Sequence, residues 1–130
     1  NLADKRIAIW GLSFKPETDD MREAPSLVLI NSLLKAGSEV VAYDPIAMPE
    51  AKRYLGESVT FASNMYDAIN DADALVIVTE WTEFRAAAWA VISKAMRGNL
   101  VVDGRNIYDY KELNANGFNY LSIGRKPQLV

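Results

Sequence analysis

The chain predicts an α/β fold: a Rossmann-like three-layer sandwich on a six-stranded, mostly parallel sheet of strand order 3-2-1-4-5-6. Three observations carry this. Short apolar runs alternate with segments of helical period from one end of the sequence to the other. The runs "ALVIV" and "LVV" show no polar alternation, as strands buried on both faces require. Glycine and proline punctuate the junctions, at Gly11, Pro45, Gly56 and Gly98. A length of 130 residues suits one domain.

Each element follows in order. "KRIAIWG" reads as a buried strand that ends at Gly11. From about Ala24 to Ala36, Leu27, Ile30, Leu33 and Leu34 fall on one helical face, with Pro25 in the first turn and Gly37 just past the end. "EVVAYDP" is a second strand, stopped by Pro45. "MPEAKRYLG" is a short helix closed by Gly56, and "SVTFA" is a third strand. "NMYDAIND" is a short helix that Asn64 can cap. The strongest strand runs from about Ala74 to Thr79. "TEFRAAAWAVISKAMRG" reads as one helix, "NLVVDGRN" as the fifth strand with its exit loop. "YDYKELNANG" is a helix, "FNYLSIG" a sixth strand, and "RKPQLV" a loose tail.

Half the residues are hydrophobic and the net charge is -3, so a packed core is expected and nucleic acid is a poor partner. No apolar run reaches membrane length. Cysteine and histidine are both absent, which removes disulfides, thiolate and imidazole catalysis and the common zinc ligands. This fits a cytoplasmic setting. The first residue is Asn rather than Met, and no signal peptide precedes the opening strand, so processing or a longer parent chain is expected.

The unusual segment is "GLSFKPETDDMREAP", residues 11–25. A dinucleotide loop in this place would carry three glycines. This one carries Gly11 alone, with Lys15 and Arg22 among Glu17, Asp19, Asp20 and Glu23. From Leu12 to Glu23 it is about twelve residues long, and loops of that size are commonly functional. Phe14 and Met21 are expected to anchor it, and Pro16 to stiffen it. Its net negative charge argues against a simple phosphate patch and for two specific cations held by local carboxylates.

In open α/β sheets ligands bind beyond the carboxyl ends of the strands, where the strand order switches. The opening loop, "TEW" (79–81) and "DGRN" (103–106) all leave that edge, so Lys15, Arg22, Glu80 and Arg105 are the polar candidates there. Each has a plainer reading: a solvated lysine, an arginine paired with Asp19 or Asp20, a backbone-holding glutamate, a turn arginine. Asp44 stands where a ribose acid would stand, but reads as an Asp-Pro turn. Trp10, Trp81 and Trp89 read as core or interface, and Asp71 and Asp73 as an exposed turn. No nucleophile–base pair and no metal-ligand spacing is present. From the residues alone the chain is a binding domain for an anionic small molecule. A module that acts in assembly, with Trp81, Phe84 and Trp89 at an interface, is the alternative of another class.

Taken together, "IAIWGLSFKPETDDMREAPS", "YDP", "TEW" and "DGRN", in that order, resemble the C-terminal domain of the UDP-glucose/GDP-mannose dehydrogenase family, from about Lys5 to Gly124. The resemblance implies one UDP-sugar-binding domain over 1–130, cut from a longer enzyme. It implies oxidation of the C6 alcohol of UDP-glucose to UDP-glucuronate in two NAD-dependent steps. Enzymes acting on UDP-N-acetylmannosamine or GDP-mannose share much of the domain. It also implies NAD held mainly by an N-terminal domain, a long central helix, a homodimer and a catalytic cysteine outside this chain. By position, Phe14 and Lys15 resemble substrate contacts, Arg105 an arginine at the UDP-sugar, and Arg22 an arginine reaching NAD across the cleft.

Overall fold

The computed structural model describes all 130 residues. Its single sheet has six strands, all parallel, in the order β3-β2-β1-β4-β5-β6. The strands are β1 (Arg6–Trp10), β2 (Glu39–Tyr43), β3 (Thr60–Phe61), β4 (Ala74–Ile77), β5 (Leu100–Asp103) and β6 (Asn119–Ser122). The helices are α1 (Pro25–Lys35), α2 (Met48–Leu55), α3 (Met65–Ile69), α4 (Thr82–Arg85), α5 (Trp89–Ala95) and α6 (Tyr110–Ala115). The expected strand order holds.

Two cores explain the unbroken apolar strands. Ala8, Trp10, Val41, Leu75 and Ile77 face one way, into a cluster with α3 to α6. Ile7, Ile9, Val40, Ala42 and Ala74 face the other, against α1 and α2. Successive side chains of a strand point to opposite faces, so a sheet covered on both sides needs apolar residues at every position. Ile30 and Leu33 are buried and Leu27 and Leu34 partly so, which is the α1 face the period foretells. Asn64 caps α3 by accepting from the amides of Tyr66 and Asp67.

Four local expectations change. The "TEFRAAAWAVISKAMRG" helix is two helices, broken at Ala86–Ala88. The break lets both Phe84 and Trp89 turn into the core, where they flank Trp10 with ring centroids 5.0 and 6.3 Å away. These aromatic rings and Trp81 are buried, so they are core and cannot form the interface of an assembly module. The tail is not loose at Gln128, whose backbone pairs with Tyr120 in an antiparallel bridge.

Asp73 is no surface turn residue either. Its carboxylate takes two bonds from the Arg97 guanidinium, at 2.9 and 2.7 Å, and one from the Arg6 amide at 2.8 Å. The guanidinium first, and the amide second, lower its pKa from 3.8 to about 2. A depressed carboxylate pKa gives stability that is complete above the unfolded-state value and lost as pH falls through the folded one. The urea midpoint of the wild type is therefore expected to drop between pH about 4 and about 2. Asp20 titrates in the same window, so the informative comparison is Asp73→Asn, whose midpoint should fall less steeply there. Parallel profiles would remove Asp73 from the acid response.

Candidate functional site

The site is built from the backbone of the opening loop outward. Beyond β1 the chain passes Gly11, at φ +92, and runs beside Thr79 at the end of β4. A Cβ on Gly11 would lie 2.5 Å from the Thr79 Cβ and 2.6 Å from its backbone nitrogen. The one glycine retained here permits a close approach of two strand exits.

From Leu12 to Lys15 the backbone is held almost group by group. The Leu12 amide donates to Asp44 Oδ2 at 2.7 Å, and the Ser13 amide to the same oxygen at 3.4 Å. The Leu12 carbonyl accepts from the Ser26 hydroxyl, and the Ser13 carbonyl from the Thr79 hydroxyl at 2.7 Å. The Phe14 amide donates to the Asp20 carbonyl at 3.1 Å, and the Phe14 carbonyl accepts from Arg105 Nη2 at 3.1 Å. The Ser13 hydroxyl closes the turn on the Lys15 carbonyl at 2.7 Å.

Two fully buried aspartates at strand ends organise this edge. Asp44, after β2, accepts on Oδ1 from the amides of Ile46 and Ala47, and on Oδ2 also from the Trp81 indole at 3.2 Å. It thus ties the exits of β1, β2 and β4 together. Asp103, at the end of β5, accepts from the amides of Arg105, Ile107 and Tyr108 and from the Tyr120 hydroxyl at 2.6 Å. Burial, together with this carboxylate, raises the Tyr120 phenol above its ordinary pKa, so it stays a donor. The Asp-Pro reading of Asp44 holds for the local turn. Its bonds to Leu12 and Trp81 join residues 32 and 37 positions apart, and no local pattern announces them.

Phe14 and Lys15 point outward from this base. Phe14 is 44% exposed, so it does not anchor the loop as the sequence suggests; Met21, at 1%, does. Phe14 is held through its backbone instead, its amide bonded to Asp20 and its carbonyl to Arg105. The Lys15 ammonium stands 6.0 Å from the Phe14 ring centroid and makes no ion pair. Both residues line an open cleft of about 760 Å³ with Pro16, Thr18, Asp20 and Arg22.

The other candidates separate. Arg22 lines the same cleft, with its side chain 83% exposed, and forms a two-point pair with Asp20 at 3.0 and 2.9 Å. That pairing lowers the Asp20 pKa to about 2 and raises that of Arg22 further. The expectation that local carboxylates hold both cations is met for Arg22 and not for Lys15. Arg105 does not line the cleft. Its Nε donates to the Val78 carbonyl at 2.7 Å, Nη2 to Phe14, and Nη1 lies 3.8 Å from Glu80. The fork thus clamps the exits of β1, β4 and β5, and Glu80 balances its charge.

This edge is not built to hold a dinucleotide. A pyrophosphate needs unpaired backbone amides at the first βα turn, and a ribose needs an accessible acid after the second strand. The amides of Leu12, Ser13 and Phe14 are all bonded within the protein, and Asp44 is buried beneath them. The fold and the edge therefore define a Rossmann-like domain whose first loop shows side chains at the cleft and keeps its backbone amides bonded within the protein. The chain belongs to the UDP-glucose/GDP-mannose dehydrogenase family: the model of that family's UDP binding domain matches residues 8–110.

Its relatives are consistent with this. The chain is 44% identical over 125 residues to the UDP-glucose 6-dehydrogenase of Rhizobium meliloti (strain 1021), covering 96% of this chain and 28% of that protein. It is 46% identical over 126 residues to the UDP-glucose 6-dehydrogenase of Pseudomonas aeruginosa, covering 93% and 28%. Among solved structures it superposes with a TM-score of 0.84 on the NDP-N-acetyl-D-galactosaminuronic acid dehydrogenase of Methanosarcina mazei Go1. That match has 28% identity and covers 96% of this chain and 26% of the other. The chain thus spans little more than a quarter of the length of the curated relatives it matches.

Proposed function

We propose that this chain, residues 1–130, is the UDP-sugar-binding C-terminal domain of a longer NAD-dependent dehydrogenase. Its substrate is UDP-glucose, oxidised at C6 to UDP-glucuronate. The observation that carries the reading is the Phe14–Lys15 pair, displayed at the cleft on a loop whose backbone amides are already bonded. Lys15 offers an unpaired ammonium to the oxygens of the nucleotide sugar, and Phe14 an apolar ring beside it. Identity of 44% and 46% to two enzymes named for UDP-glucose favours that sugar over UDP-N-acetylmannosamine or GDP-mannose.

The chain has no cysteine to supply a thiolate nucleophile, so the fragment by itself is expected to be inactive. NAD, the hydride acceptor, is assigned to an N-terminal domain joined through a central helix, within a homodimer. Arg22 is read as the residue that reaches that cofactor across the cleft, which its exposure at the rim supports. Arg105 serves the UDP-sugar site, and the enzyme is assigned to the cytoplasm.

The test is steady-state kinetics of the full-length enzyme. Lys15→Ala is expected to raise KM for UDP-glucose about tenfold or more, the worth of one charged hydrogen bond, and Arg105→Ala to raise it through loss of the clamp on the Phe14 carbonyl. Arg22→Ala is expected to raise KM for NAD instead. Unchanged constants in all three variants would overturn the assignment.

A further inference from the structure

We infer that Thr79 is a positioning residue for Lys15: its hydroxyl fixes the Ser13 carbonyl and, through it, the direction in which the Phe14–Lys15 pair is shown. The inference deepens the proposed function and rests on it for the identity of the ligand.

Four features support it. Thr79 is fully buried at the end of β4, the strand beside β1 at the switch in strand order. Its hydroxyl donates to Ser13 at 2.7 Å, across 66 residues of sequence. Ser13 in turn bonds the Lys15 carbonyl, so one side chain separates Thr79 from the lysine. Gly11 completes the fit, since any Cβ there would overlap Thr79. Asp44 and Arg105 hold neighbouring groups of the same stretch but serve other contacts as well, and Ser26 holds the Leu12 carbonyl, one residue further from the lysine. The Thr79 hydroxyl has the single task, which makes it the cleanest group to remove. A base fixed on every side shows its lysine in one direction before ligand arrives, which lowers the ordering cost of binding.

Thr79→Val keeps the shape and deletes the donor, leaving the Ser13 carbonyl without its partner. Thr79→Ser restores the hydroxyl. Both are compared with wild type in the 130-residue chain by amide hydrogen exchange and by UDP-glucose titration followed in 15N spectra. The valine variant should exchange about tenfold faster at Phe14, with Ile9 and Leu75 unchanged, and should need about tenfold more UDP-glucose to shift Lys15. Serine should return both towards wild type. Unchanged Phe14 exchange in the valine variant overturns the inference, as does faster exchange with unaltered UDP-glucose affinity. If valine frees Phe14 while Lys15→Ala leaves the KM of the full-length enzyme for UDP-glucose unchanged, the strut stands and the sugar-nucleotide reading falls.

Discussion

Replacing Asp44 with alanine is expected to cost the domain at least about 3 kcal/mol, the scale for leaving several buried donors unpaired at once. Five N–H donors converge on this carboxylate: the amides of Leu12, Ser13, Ile46 and Ala47 and the Trp81 indole. Alanine leaves a void and orphans donors that have no water to turn to, since Asp44, Leu12, Ala47 and Trp81 are all buried. Against a typical stability of about 5–15 kcal/mol, the loss is large enough to show as a collapse of the urea midpoint. Asp44→Asn is the sharper probe. Its amide keeps one acceptor oxygen but turns an NH₂ towards one of the two donor groups, so a loss close to that of alanine is expected. A midpoint within about 0.5 kcal/mol of wild type for either variant would show that the carboxylate is not the strut described here.

Gly11→Ala is expected to destabilise by about 2–4 kcal/mol, from backbone strain at φ +92 and overlap with Thr79 acting together. The new methyl would meet both the side chain of Thr79 and its backbone nitrogen. Trimming Thr79 to glycine in the same chain should therefore recover only part of the loss, because the backbone contact and the positive φ remain. Full recovery in a double-mutant cycle would mean that side-chain overlap was the whole cause. The two variants attack one construction from opposite ends. Asp44 pulls the loop down onto the sheet edge, and the bare Gly11 lets it come close enough to be held.

These two residues also mark how far the primary structure could be read. The strand order and the α1 face are legible because a doubly covered parallel sheet forces apolar residues into every strand position, and an amphipathic helix repeats at its own period. Lys15 and Arg22 are legible as candidates because a glycine-poor, charged loop at that junction is out of keeping with a dinucleotide turn. The break at Ala86–Ala88 is not legible. "AAAWAV" has good helix propensity, and only the demand of burying Phe84 and Trp89 around Trp10 overrides it.

The roles within the site divide the same way. Arg105 and Arg22 look alike as isolated arginines near one edge. Folding gives Arg105 two backbone carbonyls and Glu80 to hold, and leaves Arg22 on the rim with Asp20. By itself the amino-acid sequence determined the class of sheet, the edge where ligand must lie and the cations available there, because periodicity and strand-end position are local properties. Only the tertiary structure decided which of those cations stands unpaired and that Asp44, Thr79 and Arg105 tie together the strand exits beneath it. Those bonds span 27 to 91 residues, and no periodicity of the chain encodes a contact made across a fold.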